Sequence, residues 1–433
     1  MTKSIIMFFK DLKSKWFLLA LAGLLASRAF VLNFPPLHYS DVSHDYERYA
    51  NMWHYGYPPY FKHFYEYPPA TIPLLWVPLM IDQMGVGTYY LNYRVEIFLL
   101  DILLFLLIFK LVARVFTSPL SRVIALLFYL IAPMVAKDFF YEGIDLAFIG
   151  SLTAALIFSF LLSQKKFLNR VLFWSLFWLS TAIKFMSLPL IVPYFYLRKM
   201  KWKKEVLACI LGFFIIWGIP LVIFRSALSV SFVFHAQRHL KYASFPSFIV
   251  ETVNQFTDTE MRIDEPPDFQ LAGPVSNKVE QAFDIIFPLS IILFLLYSLI
   301  KILKPRSIKD FYDELFFKKE RYLKKHFQFA LGTKITLIYI FTLFLTGTIF
   351  SQPFHIWYLP LIAVFPFKKV RIQLIFMALV LCLLIMDTTP WIRFSEDINP
   401  FTAQFLAFIG RFLPMILLLF LSFSLQDKST KKL

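Results

Sequence analysis

Apolar runs close to twenty residues long recur along this chain, separated by short segments rich in Lys and Arg. A helix needs about 20 predominantly apolar residues to cross a hydrocarbon core of about 30 Å. Within that core every backbone polar group must bond inside the structure, which favours continuous helix. Composition agrees: 58% of residues are apolar, 19% aromatic and only 17% charged, against about 25% charged in a soluble domain. These values exclude a water-facing globule, a disordered chain, a coiled coil and a disulfide scaffold. The expected fold class is an all-α polytopic membrane protein.

The placement of charge gives the threading. The formal charge is +16, which in a soluble protein would raise nucleic acid as a partner; here the cations collect between apolar runs, as cytoplasmic loops do. Taking the N-terminus, 110–122, 164–170, 198–205, 301–334, 368–371 and the tail from 426 as cytoplasmic gathers 31 of the 44 Lys and Arg but only 7 of the 28 acids. Both termini are then expected in the cytoplasm, with no nucleic-acid partner. The run Trp16 to Phe34 has no small-residue cleavage pattern after it and is read as a retained first helix. Cys209 and Cys382 both fall in apolar runs, where they read as small packing residues.

About twelve spans follow, near 16–34, 88–112, 122–136, 144–163, 170–185, 187–198, 205–224, 284–303, 333–350, 354–367, 371–387 and 404–425. The expected organisation is a single integral membrane domain over 1–433. A first outer loop covers 35–87, a second large outer loop 225–283, a short outer segment 388–403 and a basic cytoplasmic loop 301–334. The basic loop reads as a solvated helix near anionic lipid. The aromatic residues of the outer loops suit the headgroup level.

The first outer loop holds Asp41, Asp45, Glu47 and Glu66 directly after a spanning run. Neither hydrophobicity nor charge topology explains acids there. Residues 42–55 can form an interfacial helix with Ser40 or Asp41 as N-cap, Tyr46, Tyr49, Met52 and Trp53 on one face, and Gly56 ending it. Asp41 could then be only a cap, and Asp45 and Glu47 only solvated. Pro68 and Pro69 fit the first turn of a further helix, which would set Glu66 at its N-terminus. Asp41 and Asp45 lack a clear third or fourth metal ligand, so no metal or other cofactor is expected. Arg28, Arg94 and Asp101 lie in apolar runs and could pair with one another inside the bundle.

Tyr39-Ser40-Asp41-Val42, followed by Tyr46-Glu47-Arg48-Tyr49-Ala50, Gly56, Pro59-Tyr60, Phe64 and Glu66-Tyr67-Pro68-Pro69, resembles the first outer loop of the GT-C superfamily of polyprenyl-phosphate-sugar-dependent glycosyltransferases. The likeness is greatest to glycosyltransferase family 87, and the first mannosyltransferase of GPI-anchor synthesis is similar in the same region. Further matches are Gly143-Ile144-Asp145-Leu146, Ala182-Ile183-Lys184 with Pro189 and Pro193 before a basic run, His235-Ala236-Gln237-Arg238, and Ser351-Gln352-Pro353-Phe354-His355 before Trp357-Tyr358-Leu359-Pro360.

The resemblance implies a GT-C-like bundle and an inverting transfer of a hexose, mannose by family tendency, at the non-cytoplasmic face. It makes Asp41 the catalytic base. One extra residue between that Asp and the Tyr-Glu element keeps Asp45 as a rival. Glu66, Asp145, Lys184, His235, Arg238, Gln352 and His355 become substrate-binding candidates, with Lys184 and Arg238 at the phosphate. The implied partners are a polyprenyl- or dolichyl-phosphate sugar donor, a lipid-linked or glycan acceptor and membrane lipid; an accessory subunit is compatible with this. The residues themselves agree with such chemistry. A lipid phosphate is a good leaving group and needs positive charge rather than a general acid, so one carboxylate suffices, in contrast to the paired acids of a glycosidase. Lys184 could equally snorkel to the interface. A transporter or flippase fits about twelve spans as well, although no inverted repeat with broken helices is visible.

Overall fold

The computed structural model describes residues 14–34, 40–116, 118–198, 201–236, 240–241, 243–257, 262–263, 271–305, 307–308, 325–388 and 400–425. Its helices are α1 Lys15–Leu32, α2 Glu47–His54, α3 Thr71–Gln83, α4 Tyr89–Val115, α5 Pro119–Val135, α6 Asp145–Leu161, α7 Phe167–Ile183, α8 Ile191–Leu197 and α9 Trp202–Phe224. They continue with α10 Ser229–Ala236, α11 Phe245–Thr257, α12 Pro274–Leu303, α13 Lys325–Thr346, α14 Leu359–Val364, α15 Val370–Thr388, α16 Pro400–Ala407 and α17 Leu413–Ser424. A two-residue antiparallel pair, β1 Arg262–Ile263 with β2 Leu271–Ala272, completes the described elements.

Local chemistry sets several of these boundaries. The Ser14 hydroxyl accepts the Phe17 N–H at 3.1 Å and starts α1; Thr88 does the same for Leu91 at 3.3 Å and starts α4. Pro opens α5 and α12, where its missing N–H costs nothing. Gly56, at φ 82°, ends α2 as the sequence predicts, because the turn needs the left-handed conformation.

The expectation of an all-α polytopic membrane protein is met. Among the described residues, six helical stretches are long and apolar enough to span: Lys15–Leu32, Trp202–Phe234, Pro274–Leu303, Lys325–Thr346, Val370–Asp387 and Phe405–Ser424. Shorter apolar helices lie at Pro119–Val135, Asp145–Leu161, Phe167–Ile183 and Phe185–Leu197. α4 is 27 residues long but carries Arg94, Glu96, Asp101, Lys110 and Arg114.

The chain forms two compact units. The first takes in 1–187, 207–232 and 356–374. In it α6 is buried along most of its length and packs on α7 and α4, while α5 packs on α1. All six residues of α14 are buried within the same unit, against α4, α5 and α6. The second takes in 188–206, 233–355 and 375–433. Its centre is α13, buried from Phe327 through most of its length and packed by α8, α11, α12 and α17.

Several expected boundaries change. The span placed at 284–303 starts at Pro274, because Pro274, Val275 and Ser276 open the helix ahead of the apolar run, shortening the second outer loop. α13 starts at Lys325, inside the segment read as a basic loop, because Phe327, Phe329, Ala330 and Leu331 are buried there; residues 309–324 of that segment lie outside the description. The span at 354–367 is a 3-10 turn Gln352–Tyr358 and the six-residue α14, which rises only about 9 Å. The run 404–425 is interrupted by a π-helical turn at Phe408–Phe412. Cys209 is half-buried, but Cys382 is exposed on α15 rather than packed.

Candidate functional site

The first outer loop folds against the first unit's core. Its expected helix over 42–55 is a π-helical turn, Val42–Tyr46, running into α2. Asp41 already has helical φ and ψ and its carboxylate does not cap the helix; the Ser40 hydroxyl accepts the Val42 N–H at 3.2 Å instead. Of the two caps considered, Ser40 is the one used, which separates Asp41 from a capping role.

The aromatic face of this helix is buried in protein rather than spread at the headgroups. Tyr46, Tyr49 and Trp53 are each no more than 4% exposed. Tyr49, Trp53 and Tyr60 meet Tyr65 edge-to-face at ring distances of 5.0, 5.2 and 5.3 Å, and Trp53 stacks on Trp76 at 5.9 Å. The Tyr60 hydroxyl donates to the Tyr67 carbonyl at 2.5 Å. Such rings gain from these geometries beyond their burial, so the loop is held by its own side chains.

Three of the sequence-predicted acids converge on this core. Burial lifts the Tyr46 hydroxyl well above its usual pKa, and Tyr93, Asp41 and Asp145 push it the same way. Burial does the same to Tyr67, with Glu66, Tyr46 and Asp41 adding to it. Asp41 thus acts on both phenols, Asp145 on one and Glu66 on the other. The rival Asp45 pairs with Arg48 one turn along at 3.0 Å. Glu66 does not sit in the first turn of a helix. α3 starts at Thr71, whose hydroxyl donates to the Pro68 carbonyl at 2.5 Å and closes a turn before the helix can extend backwards. The Ala70 N–H donates to the Ala182 carbonyl at 2.8 Å, which ties this turn to the end of α7.

Lys184 follows α7 directly and donates to Asp145 Oδ1 at 2.5 Å. The Trp357 indole N–H donates to the same oxygen at 2.5 Å, and the Lys184 ammonium lies 5.2 Å from the Trp357 ring centre. The Lys184 side chain is 16% exposed and that of Asp145 5%. The lysine is therefore directed inward to a carboxylate and an aromatic face rather than snorkelling away from the protein.

Sequence reading missed Glu142. It is 4% exposed and accepts from the Ser40 hydroxyl at 2.5 Å and the Tyr90 hydroxyl at 2.7 Å, with Arg94 Nε 3.2 Å away. Arg94 therefore does not join Arg28 and Asp101, which pair with each other at 2.6 Å. The signal was present: Glu142, like Asp41, is an acid beside an apolar run.

In the second unit, His355 Nε2 lies 2.7 Å from Asp387 Oδ2, and Gln352 donates to the Asp387 carbonyl at 2.6 Å. Arg411 Nε donates to Asp387 Oδ1 at 2.5 Å. Asp387 was read only as the end of a span, yet it organises both residues that the resemblance singled out. Only the helical backbone of His235 is described, and Arg238 lies outside the described residues. Among the described residues, no group of three or more His, Cys, Asp or Glu is placed to hold a metal ion.

Fold and site together define an all-α integral membrane protein in which a lysine after α7 is paired with a carboxylate at the start of α6. No family model matches the sequence, and no curated protein matches it. Among solved structures, ArnT from Cupriavidus metallidurans bound to undecaprenyl phosphate matches with a TM-score of 0.50 at 14% identity, covering 95% of this chain and 72% of that one. The apo state of ArnT from the same organism gives 0.49 at 15%, covering 94% and 71%. The first of these likenesses is one of fold.

Proposed function

We propose that this chain is a membrane glycosyltransferase of the GT-C superfamily. It transfers a hexose, mannose by its sequence resemblance to family 87, from a polyprenyl or dolichyl phosphate to a lipid-linked or glycan acceptor. The observation that carries the reading is the pairing of Lys184 with Asp145 Oδ1 at 2.5 Å, with the Trp357 indole on the same oxygen and the end of α7 tied to the acid-bearing first loop through the Ala70 N–H and the Ala182 carbonyl. The fold shared with ArnT, whose structure is bound to undecaprenyl phosphate, supports a polyprenyl-phosphate donor. The distribution of Lys and Arg supports cytoplasmic termini and a reaction on the opposite face.

In this reading Asp41 takes the proton of the acceptor hydroxyl as that oxygen bonds to the anomeric carbon. The bond from that carbon to the phosphate oxygen breaks, its electron pair leaves with the lipid phosphate, and the configuration inverts. General-base assistance of this kind contributes about 10² to 10⁴ in rate. Lys184 supplies positive charge at the departing phosphate, so the reaction runs without a divalent metal. Glu66 and Asp145 orient hydroxyls of the sugar or acceptor. His235, Arg238, Gln352 and His355 rest on the sequence resemblance and enter no step here.

The test is transfer by the purified protein in liposomes from radiolabelled polyprenyl-phosphate mannose, with glucose- and arabinose-type donors in parallel and a lipid extract as acceptor. Asp41→Asn should abolish transfer, Asp45→Asn should leave it within about tenfold, and EDTA should not matter. Loss in Asp45→Asn alone moves the base to Asp45. Passage of a lipid-linked substrate without transfer overturns the reading in favour of a transporter.

A further inference from the structure

Asp41 follows a residue that is fixed with unusual completeness. Ser40 is 2% exposed; its hydroxyl donates to Glu142 Oε2 at 2.5 Å and accepts the Val42 N–H at 3.2 Å, so it links Glu142 to the peptide that follows Asp41. The other Glu142 oxygen takes the Tyr90 hydroxyl at 2.7 Å and faces Arg94 at 3.2 Å. Arg94, 3% exposed, donates in turn to the carbonyls of Val31, Leu32 and Phe34 at 3.0, 3.1 and 3.0 Å. Those carbonyls lie in the last turn of α1 and just past its end, where helical partners run out. One buried ion pair thus holds the chain where it leaves α1 and again where it enters the helix carrying Asp41.

Glu142 also stands three residues before Asp145, the partner of Lys184. The segment between α5 and α6 therefore carries the anchor of one acid and leads directly into the other, the first residue of α6. A buried ion pair is costly and a weak source of stability. Its placement is accounted for by what it holds.

We propose that Glu142 is the positioning residue for Asp41, acting through the Ser40 hydroxyl with Arg94 as its counter-charge. This inference rests on Asp41 being the base. It takes its expected size from geometry: displacing a reacting group by about 1 Å can cost about 10² in rate.

The experiment compares wild type, Asp41→Asn, Ser40→Ala, Glu142→Gln and the Ser40→Ala/Glu142→Gln double variant in the liposome assay. Binding stoichiometry of undecaprenyl phosphate and the thermal midpoint are measured on the same preparations. Ser40→Ala and Glu142→Gln should each lower kcat by tenfold or more, with donor KM within twofold and stoichiometry unchanged. The double variant should be no worse than the poorer single, because Glu142→Gln removes the charge held by Arg94 and Ser40→Ala the hydroxyl through which it acts, two steps of one path. A merely structural role would lower stoichiometry together with rate. Should Glu142→Gln fail to fold, Ser40→Ala removes the same link through a single hydroxyl. Dead Asp41→Asn beside Ser40→Ala and Glu142→Gln both within twofold of wild type overturns the positioning role alone. Active Asp41→Asn, or an inactive wild type, overturns the underlying reading and this inference with it.

Discussion

Lys184 and Asp145 meet at 2.5 Å across 39 positions of sequence, with the Trp357 indole bonded to the same carboxylate oxygen. The ammonium that the resemblance assigns to a phosphate is thus held by a carboxylate. An anionic ligand approaching Lys184 would compete with Asp145 for it.

Breaking a largely buried pair from one side strands the other charge, at about 3–5 kcal/mol when fully buried. With the Lys184 side chain 16% exposed, Asp145→Asn and Lys184→Met should each cost about 2–3 kcal/mol, below that range because water reaches the ammonium. The double variant should regain most of that loss while remaining inactive. Thermal unfolding in detergent, run beside the transfer assay, measures both; additive losses in the double variant would show that the two residues do not act as a pair.

Gly143 gives a sharper separation of function from stability. A Cβ at this position would lie 2.9 Å from Asp145 Oδ2 and 3.8 Å from the Tyr46 hydroxyl. The obstructed atom is the end of a side chain, so the backbone can stay and the carboxylate must turn. Gly143→Ala should leave the thermal midpoint within about 1 °C, the shift that about 1 kcal/mol gives a chain of this length, and lower transfer by tenfold or more. A large fall in midpoint with specific activity retained would contradict this.

The membrane class and the position of most helices were legible because each follows from a local signal, run length or charge bias; of about twelve expected spans, six described helices are long and apolar enough to cross. What was not legible depended on partners far away in sequence. Arg94 looked like one of three interior charges until Glu142, 48 positions on, was seen beside it. Asp387 looked like the end of a helix until His355 and Arg411 were seen on it. The aromatic loop was read as interfacial because composition cannot distinguish a ring that meets lipid from one that meets Tyr65. The start of α3 was misplaced because Pro68-Pro69 fits a first turn in isolation, and only the Thr71 bond to the Pro68 carbonyl fixes the turn before it.

The Arg28–Asp101 pair should dominate stability in the first unit. Both side chains are fully buried at 2.6 Å, and Asp101 also accepts from the Tyr129 and Tyr141 hydroxyls at 2.5 and 2.8 Å. Asp101→Asn leaves a guanidinium that cannot lose its charge, and should cost about 3–5 kcal/mol. Arg28→Met should cost less, because Asp101 keeps the Tyr129 and Tyr141 hydroxyls as donors, whereas the guanidinium stranded by Asp101→Asn keeps only the Ser27 hydroxyl and the Tyr129 and Leu130 carbonyls. Tyr129→Phe, removing one bond to a charged group, should cost about 1.5–3 kcal/mol. Thermal midpoints tell whether the Asp101 variant is the worst of the three, and any other variant in that place would sink the argument.

His63 makes the first outer loop sensitive to acid. The Trp53 indole N–H donates to His63 Nε2 at 2.7 Å, and an indole nitrogen can only donate. Nε2 must then be bare, and Nδ1 carries the proton toward the Phe64 carbonyl at 2.7 Å. A second proton would have to enter the bond to Trp53. Burial lowers the His63 pKa against the opposing Phe64 bond, with Arg48 lowering it further. The unfolded imidazole, near pH 6.5, therefore binds its proton before the folded one does. The contribution of this bond is complete above the unfolded value and is lost as pH falls through the folded one. The thermal midpoint of the wild type should decline as pH falls below about 6.5, the unfolded value. In His63→Gln, whose amide can accept from Trp53 and donate to Phe64 without titrating, that part of the decline should vanish. Equal declines in the two proteins would place the acid sensitivity at another group.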